Sequence, residues 1–160
     1  RGWKLSGETS STIPLSTWAD SNLGKKSVRY LVIDTEGHEP KVIRGMRLTK
    51  QENQRRFPMF QYELGGTWAK DDNRHGGPDE WTQQQAAQHL QDAGYLLFII
   101  GTKDWLRVGP DFFIEDNNPA MLNTTLGFFV QGNLLAVHRR FAPVAIVDKI
   151  LEQSRNVMPQ

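Results

Sequence analysis

The chain has 160 residues, a length that suits one domain with its own hydrophobic core. Its 19 basic and 18 acidic residues give a net charge of +1, so neither nucleic acid nor a membrane surface is expected as the main partner. The lack of cysteine excludes disulfides, thiolate metal sites and a cysteine nucleophile. No apolar run reaches the roughly 18 residues of a transmembrane helix, so stable membrane insertion of this segment is not expected.

The first 27 residues are polar and carry little periodicity. Residues 13–15 are predicted to form a short edge segment, because proline is tolerated at sheet edges. Residues 28–33, rich in β-branched and aromatic side chains, predict a buried strand. The polar turn 34–39 follows, and Pro40 then opens a predicted helix, since proline is favoured in the first helical turn.

The strand and helix pattern then repeats. Residues 57–63 predict a second strand, and the polar loop 67–78 leads to a helix over about residues 79–93. Asp79 or Thr82 is the expected N-cap. Strands that alternate with helices indicate an α/β fold with a mostly parallel sheet covered on both faces.

The rest of the chain shows a different pattern. Gly94 is placed to end the second helix, and Tyr95–Ile100 is the third predicted strand. Three more strands are predicted without helices between them, over residues 105–108, 126–130 and 133–138. We therefore expect an antiparallel pair at the C-terminal edge of the sheet. Pro143 opens a last helix, whose predicted apolar stripe is Val144, Ile146, Val147, Ile150 and Leu151.

Acidic residues lie where two of the predicted strands end. In open parallel sheets, ligands bind at the carboxyl ends of the strands. Asp34 ends the first strand and Glu63 the second, so if these strands are neighbours the two carboxylates face one crevice. Paired acids there accept a proton, hold a ligand hydroxyl or amine, or bind a hard cation. The alternative for Asp34 and Glu36 is that they only cap the following helix.

Four further side chains are candidates for substrate contacts, each with an alternative. His38 is a potential base near neutral pH or a solvated residue of the first helical turn. His75 lies in a glycine-flanked loop, which either touches substrate or has no role in binding. Tyr62 and Trp68 flank the end of the second strand and either stack on a ligand ring or pack in the core or its rim. The histidine spacing matches no metal motif, so no metal site is predicted.

The residues 31–46, from the strand through the acidic turn to the helix, resemble the signature of the FkbM family. That signature is a strand followed by Asp, any residue, Glu-Gly, any residue and Glu, then a short helix ending near a glycine. Residues 60–66 resemble the family's next strand, and residues 133–137 resemble its closing strand. Residues 13–18 resemble the segment that usually reads Thr-Leu-Asp, although the aspartate position is occupied by Ala19, next to Asp20.

The resemblance implies a Rossmann-like, class I methyltransferase with S-adenosyl-L-methionine (SAM) as its cofactor and a hydroxyl on a sugar, lipid or other small molecule as the methyl acceptor. It implies that Asp34 and Thr35 contact the cofactor and that Asp34, Glu36 and Glu63 serve catalysis. The chain would supply the fourth to seventh strands as the C-terminal part of one domain, with a core over about residues 13–140 and a final helix over 141–160.

The family's glycine-rich SAM loop and ribose-binding acid are not found in this sequence, so the N-terminal half is expected to be missing and the fragment alone inactive. The compartment is not encoded, with the cytoplasm as the default. Two other functions stay open. One is a non-catalytic binding domain with the same fold, and the other is a metal-dependent hydrolase that uses Asp34 and Glu36.

Overall fold

The computed structural model describes residues 11–35, 38–64, 81–100, 105–113 and 132–155. These residues form one five-stranded sheet with helices on both faces. The elements in chain order are α1 (Leu15–Asn22), β1 (Leu31–Ile33), α2 (Glu39–Gly45), α3 (Gln51–Arg56), β2 (Met59–Leu64), α4 (Gln83–Asp92), β3 (Tyr95–Ile100), β4 (Trp105–Val108), a single 3₁₀ turn (Pro110–Phe113), β5 (Gly132–His138) and α5 (Val144–Arg155).

The strand order in the sheet is β1-β2-β5-β3-β4. β1 and β2 are parallel, whereas β5 is antiparallel to both β2 and β3, and β4 is antiparallel to β3. The first three strands therefore all point the same way, as the alternation with helices predicted. The expectation of mostly parallel pairing and of an antiparallel pair confined to the edge is only partly correct, because β5 inserts between β2 and β3 instead of adding to the edge.

The N-terminal segment forms a helix where a short edge strand was predicted. Pro14 has an extended backbone and occupies the N-cap of α1, and its carbonyl accepts hydrogen bonds from the N–H groups of Thr17 (3.0 Å) and Trp18 (3.1 Å). Because proline has no N–H to lose and a fixed φ, it serves at the start of a helix as readily as at a sheet edge. The edge-strand prediction for residues 13–15 is thus wrong.

α3 has no apolar periodicity, and the sequence did not predict it. Its last residue, Arg56, is buried and forms ion pairs with Asp20 of α1 and with Glu52 (2.6 Å), one turn earlier. The Arg56 guanidinium also donates to the Gly24 carbonyl at 3.1 Å. A buried arginine requires such partners, since an unpaired buried charge is costly. These bonds join α1 to α3 before the chain enters β2.

α4 begins and ends with the devices that the sequence indicated. Thr82 and Gln85 form a reciprocal capping box, in which the Thr82 hydroxyl accepts from the Gln85 N–H at 3.2 Å. The alternative N-cap, Asp79, lies outside the described residues. Gly94 has φ +92°, a conformation that glycine adopts at little cost, and it turns the chain from α4 into β3.

In β3 and β5, alternate residues face two separate clusters of buried side chains, whereas β1 contributes only to the larger one and its Val32 is exposed. The larger cluster includes Ile33, Phe60 and Tyr62 of the sheet, with side chains of α2 and α4 packed over them. The smaller cluster lies on the other face, where Leu96, Phe98, Leu135 and Val137 contact Ile150 of α5 and the partly buried Val147 and Leu151. Both faces of the sheet are therefore covered, as expected for the α/β class.

The apolar stripe of α5 is narrower than the sequence predicted. Ile150 is buried, but Val144 is 73% exposed and Ile146 is also exposed. Val147, Ile150 and Leu151 share one face because they are spaced by three and four residues. Ile146 is rotated by about 100° from Val147 and so leaves that face, and Val144 lies exposed in the first turn.

The predicted loop 67–78 and the predicted strand 126–130 lie outside the described residues. In the described ranges, none of the helices has the length and apolar character that crossing a lipid bilayer requires.

Candidate functional site

Asp34 and Glu63 come from neighbouring parallel strands. Ile33 of β1 is paired with Tyr62 of β2. The residues that follow them, Asp34 and Glu63, are therefore side by side. They lie at the carboxyl end of β1, where ligands bind in open α/β sheets. The condition on which the sequence argument depended, that the two strands are adjacent, is thus met. β2 itself continues one residue further, to Leu64.

A third carboxylate joins this pair. Oxygen atoms of Asp34, Glu39 and Glu63 all lie within 4.8 Å of one another, and we call these three residues the acidic edge. Asp34 is exposed, Glu63 is half-buried and Glu39 is fully buried. Like charges at this spacing repel one another, and a cation or a hydrogen-bond donor placed among them offsets the repulsion. Hard divalent cations also use oxygen ligands of this kind.

Glu39 fixes the turn that carries Asp34. Its Oε1 atom accepts hydrogen bonds from the Thr35 N–H at 2.7 Å and from the Thr35 hydroxyl at 2.9 Å. Glu39 is the first residue of α2, where a negative charge also interacts favourably with the helix dipole. The Thr35 carbonyl accepts from the His38 N–H at 3.3 Å, which closes the turn from the other side. Asp34 is therefore held next to a tightly bonded turn.

Sequence reasoning did not propose Glu39 as a site residue, although it is the last acid of the Asp-x-Glu-Gly-x-Glu pattern. The five-residue spacing from Asp34 to Glu39 was visible. What the sequence did not show is that the chain folds back between these residues, which brings the Glu39 carboxylate under Thr35 and close to Glu63.

Of the other predicted site residues, only His38 lies beside the acidic edge in the part of the chain that the structure describes. His38 is exposed at the N-cap position of α2, beside the acidic edge, with no side-chain capping bond. Tyr62 is buried in the larger core cluster, with its ring 6.2 Å from that of Phe60, and burial raises the pKa of its hydroxyl well above the usual value. Packing accounts for its position better than stacking on a ligand. Glu36, Trp68 and His75 lie outside the described residues.

Residues 13–18, which resemble the Thr-Leu-Asp segment of the FkbM family, lead into α1 and form its first turn. Ala19, which occupies the aspartate position, is fully buried in the larger core cluster. Its neighbour Asp20 forms an ion pair with Arg56. Asp20 therefore has a structural partner and is not part of the acidic edge.

Comparison with protein families matches this chain to the methyltransferase FkbM domain over residues 5–97. Searches of the curated proteins and of the solved structures find no significant match. The matched segment covers more than half of the chain and contains all three residues of the acidic edge, together with α1, α2 and β2. On the strength of this match, which agrees with the turn and strand motifs described above, the chain belongs to the FkbM methyltransferase family.

Proposed function

We propose that the chain provides the acceptor side of a SAM-dependent methyltransferase that methylates a hydroxyl of a sugar, a lipid or another small molecule. The observation that carries the proposal is the acidic edge. Three carboxylates converge at the carboxyl end of adjacent parallel strands, inside the segment that matches the family. A hydroxyl acceptor needs a hydrogen-bond acceptor or a base at the point where it reacts, and this edge offers one that is exposed.

The three carboxylates differ in what they can do. Asp34 is exposed, so it can accept the hydrogen bond of an incoming hydroxyl and take its proton as the oxygen attacks. Glu63, half-buried beside it, can orient the same hydroxyl or a second one on the acceptor. Glu39 is fully buried and bonded to Thr35, so it acts as a positioning residue for the Asp34 backbone. Such fixed placement matters because methyl transfer depends mainly on the alignment of the reacting atoms.

The residues present fit the proposed cofactor. When bound, SAM supplies an electrophilic methyl group on a positively charged sulfur. Clustered carboxylates complement a positive charge, and Asp34 is the exposed member that can hold a cationic or hydroxyl group of this cofactor. Thr35 uses its N–H and its hydroxyl proton within the turn. Its contribution to cofactor binding is therefore to hold the turn in shape.

The test combines calorimetry with SAM and transfer of a labelled methyl group to a panel of sugar and lipid alcohols, using the protein that contains this chain. Asp34→Asn should leave folding intact and lower the methyl-transfer rate by about 10²–10⁴-fold, the usual contribution of a positioned base. Glu63→Gln should lower it less. Asp92→Asn is the matched control, because Asp92 is exposed at the C-terminal end of α4, near the opposite edge of the sheet. Its turnover should be unchanged.

Other outcomes would contradict the proposal in distinct ways. Full turnover by Asp34→Asn would remove Asp34 from catalysis. A folded protein that binds no SAM would favour a non-catalytic binding domain. Hydrolysis of a phosphate ester that is lost on adding a chelator and is restored by Mg²⁺ would favour a metal-dependent hydrolase built on the same carboxylates.

A further inference from the structure

A cavity with polar side chains in its lining lies at the end of the sheet opposite the acidic edge, where β1, β2 and β3 begin. It has a volume of about 390 Å³ and opens between the last turn of α4, the start of β3 and the turn after β4. Its polar lining includes Gln91, Arg107, Asp111 and Arg139, and Tyr95, the first residue of β3, also lines it. β3 runs in the same direction as β1 and β2, so its first residue, Tyr95, lies at the end of the sheet where these strands begin. Asp34 and Glu63 lie at the other end, where β1 and β2 finish.

Two arginines of this cavity have a fixed backbone, while their side chains pair with no residue that the structure describes. Arg107 lies in β4 opposite Phe98 in the β3–β4 ladder. Arg139 follows β5, and its N–H donates to the Gly94 carbonyl at 3.1 Å. Across the described ranges, neither guanidinium takes part in an ion pair or a side-chain hydrogen bond, in contrast to Arg56, which pairs with Asp20 and Glu52. Asp111 also lines the cavity and pairs with neither arginine.

The positive charge extends beyond the cavity. Arg140, next to Arg139, lies over the ring of Phe141 at 5.5 Å, and Arg55 lies over the same ring at 5.2 Å. These contacts hold the guanidiniums of Arg55 and Arg140 at Phe141, two residues after Arg139 in the chain. Arginine binds phosphate and carboxylate groups through paired N–H donors in a planar fork, so unpaired guanidiniums at a cavity favour an anionic ligand.

We propose that this cavity binds a small molecule that carries a phosphate or carboxylate group. Arg107 and Arg139 would bind the anionic group, and Asp111 would accept a hydrogen bond from a hydroxyl on the body of the ligand. The volume lies within the range of small-molecule sites and exceeds the need of a lone phosphate ion. Arg107, Asp111 and Arg139 all come after residue 97, outside the segment that matches the methyltransferase family. The charged residues of this cavity are therefore separate from the acidic edge, whose three residues lie within that segment.

The experiment measures by calorimetry how the whole chain binds four ligands: ribose 5-phosphate, inorganic phosphate, acetate and uncharged ribose. Arg107→Gln and Arg139→Gln should each weaken binding of the anions by roughly 10-fold, as expected for loss of a charged hydrogen bond. The double variant should abolish it. Both side chains are exposed, so both variants should fold.

Arg29→Gln is the matched control. Arg29 is exposed just before β1, at the same end of the sheet, but two strands separate β1 from β3, a distance of roughly 14 Å. It should bind the anions like the unaltered protein. Tighter binding of phosphate than of acetate would identify a phosphate ester as the ligand class, and the reverse order a carboxylate. The proposal is overturned if no anion binds saturably, if the cavity variants bind normally, or if Arg29→Gln weakens binding equally.

Discussion

Removal of the Glu39 carboxylate should destabilise the turn that carries Asp34. Glu39→Ala deletes an acceptor that is fully buried and bonded to the Thr35 N–H at 2.7 Å and to the Thr35 hydroxyl at 2.9 Å. Hydrogen bonds to charged groups contribute about 1.5–3 kcal/mol each, and the truncation also leaves a void. We expect a loss of about 3–5 kcal/mol, a large part of the roughly 5–15 kcal/mol by which small domains are stable.

Urea denaturation measures this loss as a lower midpoint with an unchanged slope. Glu39→Gln is the matched variant, because it keeps an acceptor of the same shape without the charge, and neutral hydrogen bonds are about half as strong as charged ones. The urea midpoint of Glu39→Gln should therefore lie between those of the unaltered protein and Glu39→Ala. A loss below about 1 kcal/mol for Glu39→Ala would refute the reasoning.

A double-mutant cycle tests whether Thr35 is the partner that matters. Thr35→Val removes the hydroxyl donor and keeps the N–H, so it should cost less in the Glu39→Ala background than in the unaltered chain. Contacting residues couple by about 0.5–3 kcal/mol. Additive free energies would show that the 2.9 Å contact between the Thr35 hydroxyl and Glu39 contributes nothing.

Three further predictions concern the stability of the fold. Gly94→Ala should destabilise the fold by about 1–3 kcal/mol, because φ is +92° and an added Cβ would lie 3.0 Å from Nε2 of His138; a midpoint equal to that of the unaltered protein would contradict this. Thr82→Ala should cost about 0.5–2 kcal/mol through loss of the capping box, whereas Thr82→Ser should restore most of it. Burial lowers the pKa of His138, mainly by desolvation and further by Arg140, against an opposing hydrogen bond to the Ala93 backbone. The unfolded state therefore binds the proton more readily than the folded state. The contribution of His138 to the free energy of unfolding should be complete above pH 6.5 and lost as the pH falls below it. His138→Gln should remove this pH dependence from denaturation midpoints measured across that range.

The His138 prediction has a structural basis beyond burial. Its Nδ1 atom accepts hydrogen bonds from the Arg140 N–H at 3.1 Å and the Phe141 N–H at 3.3 Å, and its ring stacks on Phe141 at 4.5 Å. An imidazole that accepts at Nδ1 is neutral, because both ring nitrogens donate in the charged form. Protonation must therefore break these two bonds at the end of β5.

Local patterns were sufficient for several elements of the fold. β3 and β4 occupy the residues that were predicted for them, and the capping box at Thr82 and the positive φ at Gly94 agree with the residue types found there. Each of these features depends on neighbours in sequence. α3 was missed because it has no apolar face and is held by ion pairs of Arg56 with Asp20 and Glu52, one of which spans 36 positions.

By itself, the sequence determined the α/β class, the family, and the acids that end the first two strands, because these are encoded in hydrophobic periodicity and in one short motif. Only the tertiary structure decided that β1 and β2 are adjacent, that β5 inserts between β2 and β3, and that Glu39 completes the acidic edge. Likewise, Arg107 and Arg139 are far apart in the chain and share a cavity only because β5 and β4 both pair with β3. Strand neighbours are chosen by the burial of whole faces of the sheet, and that choice is not encoded in any one segment.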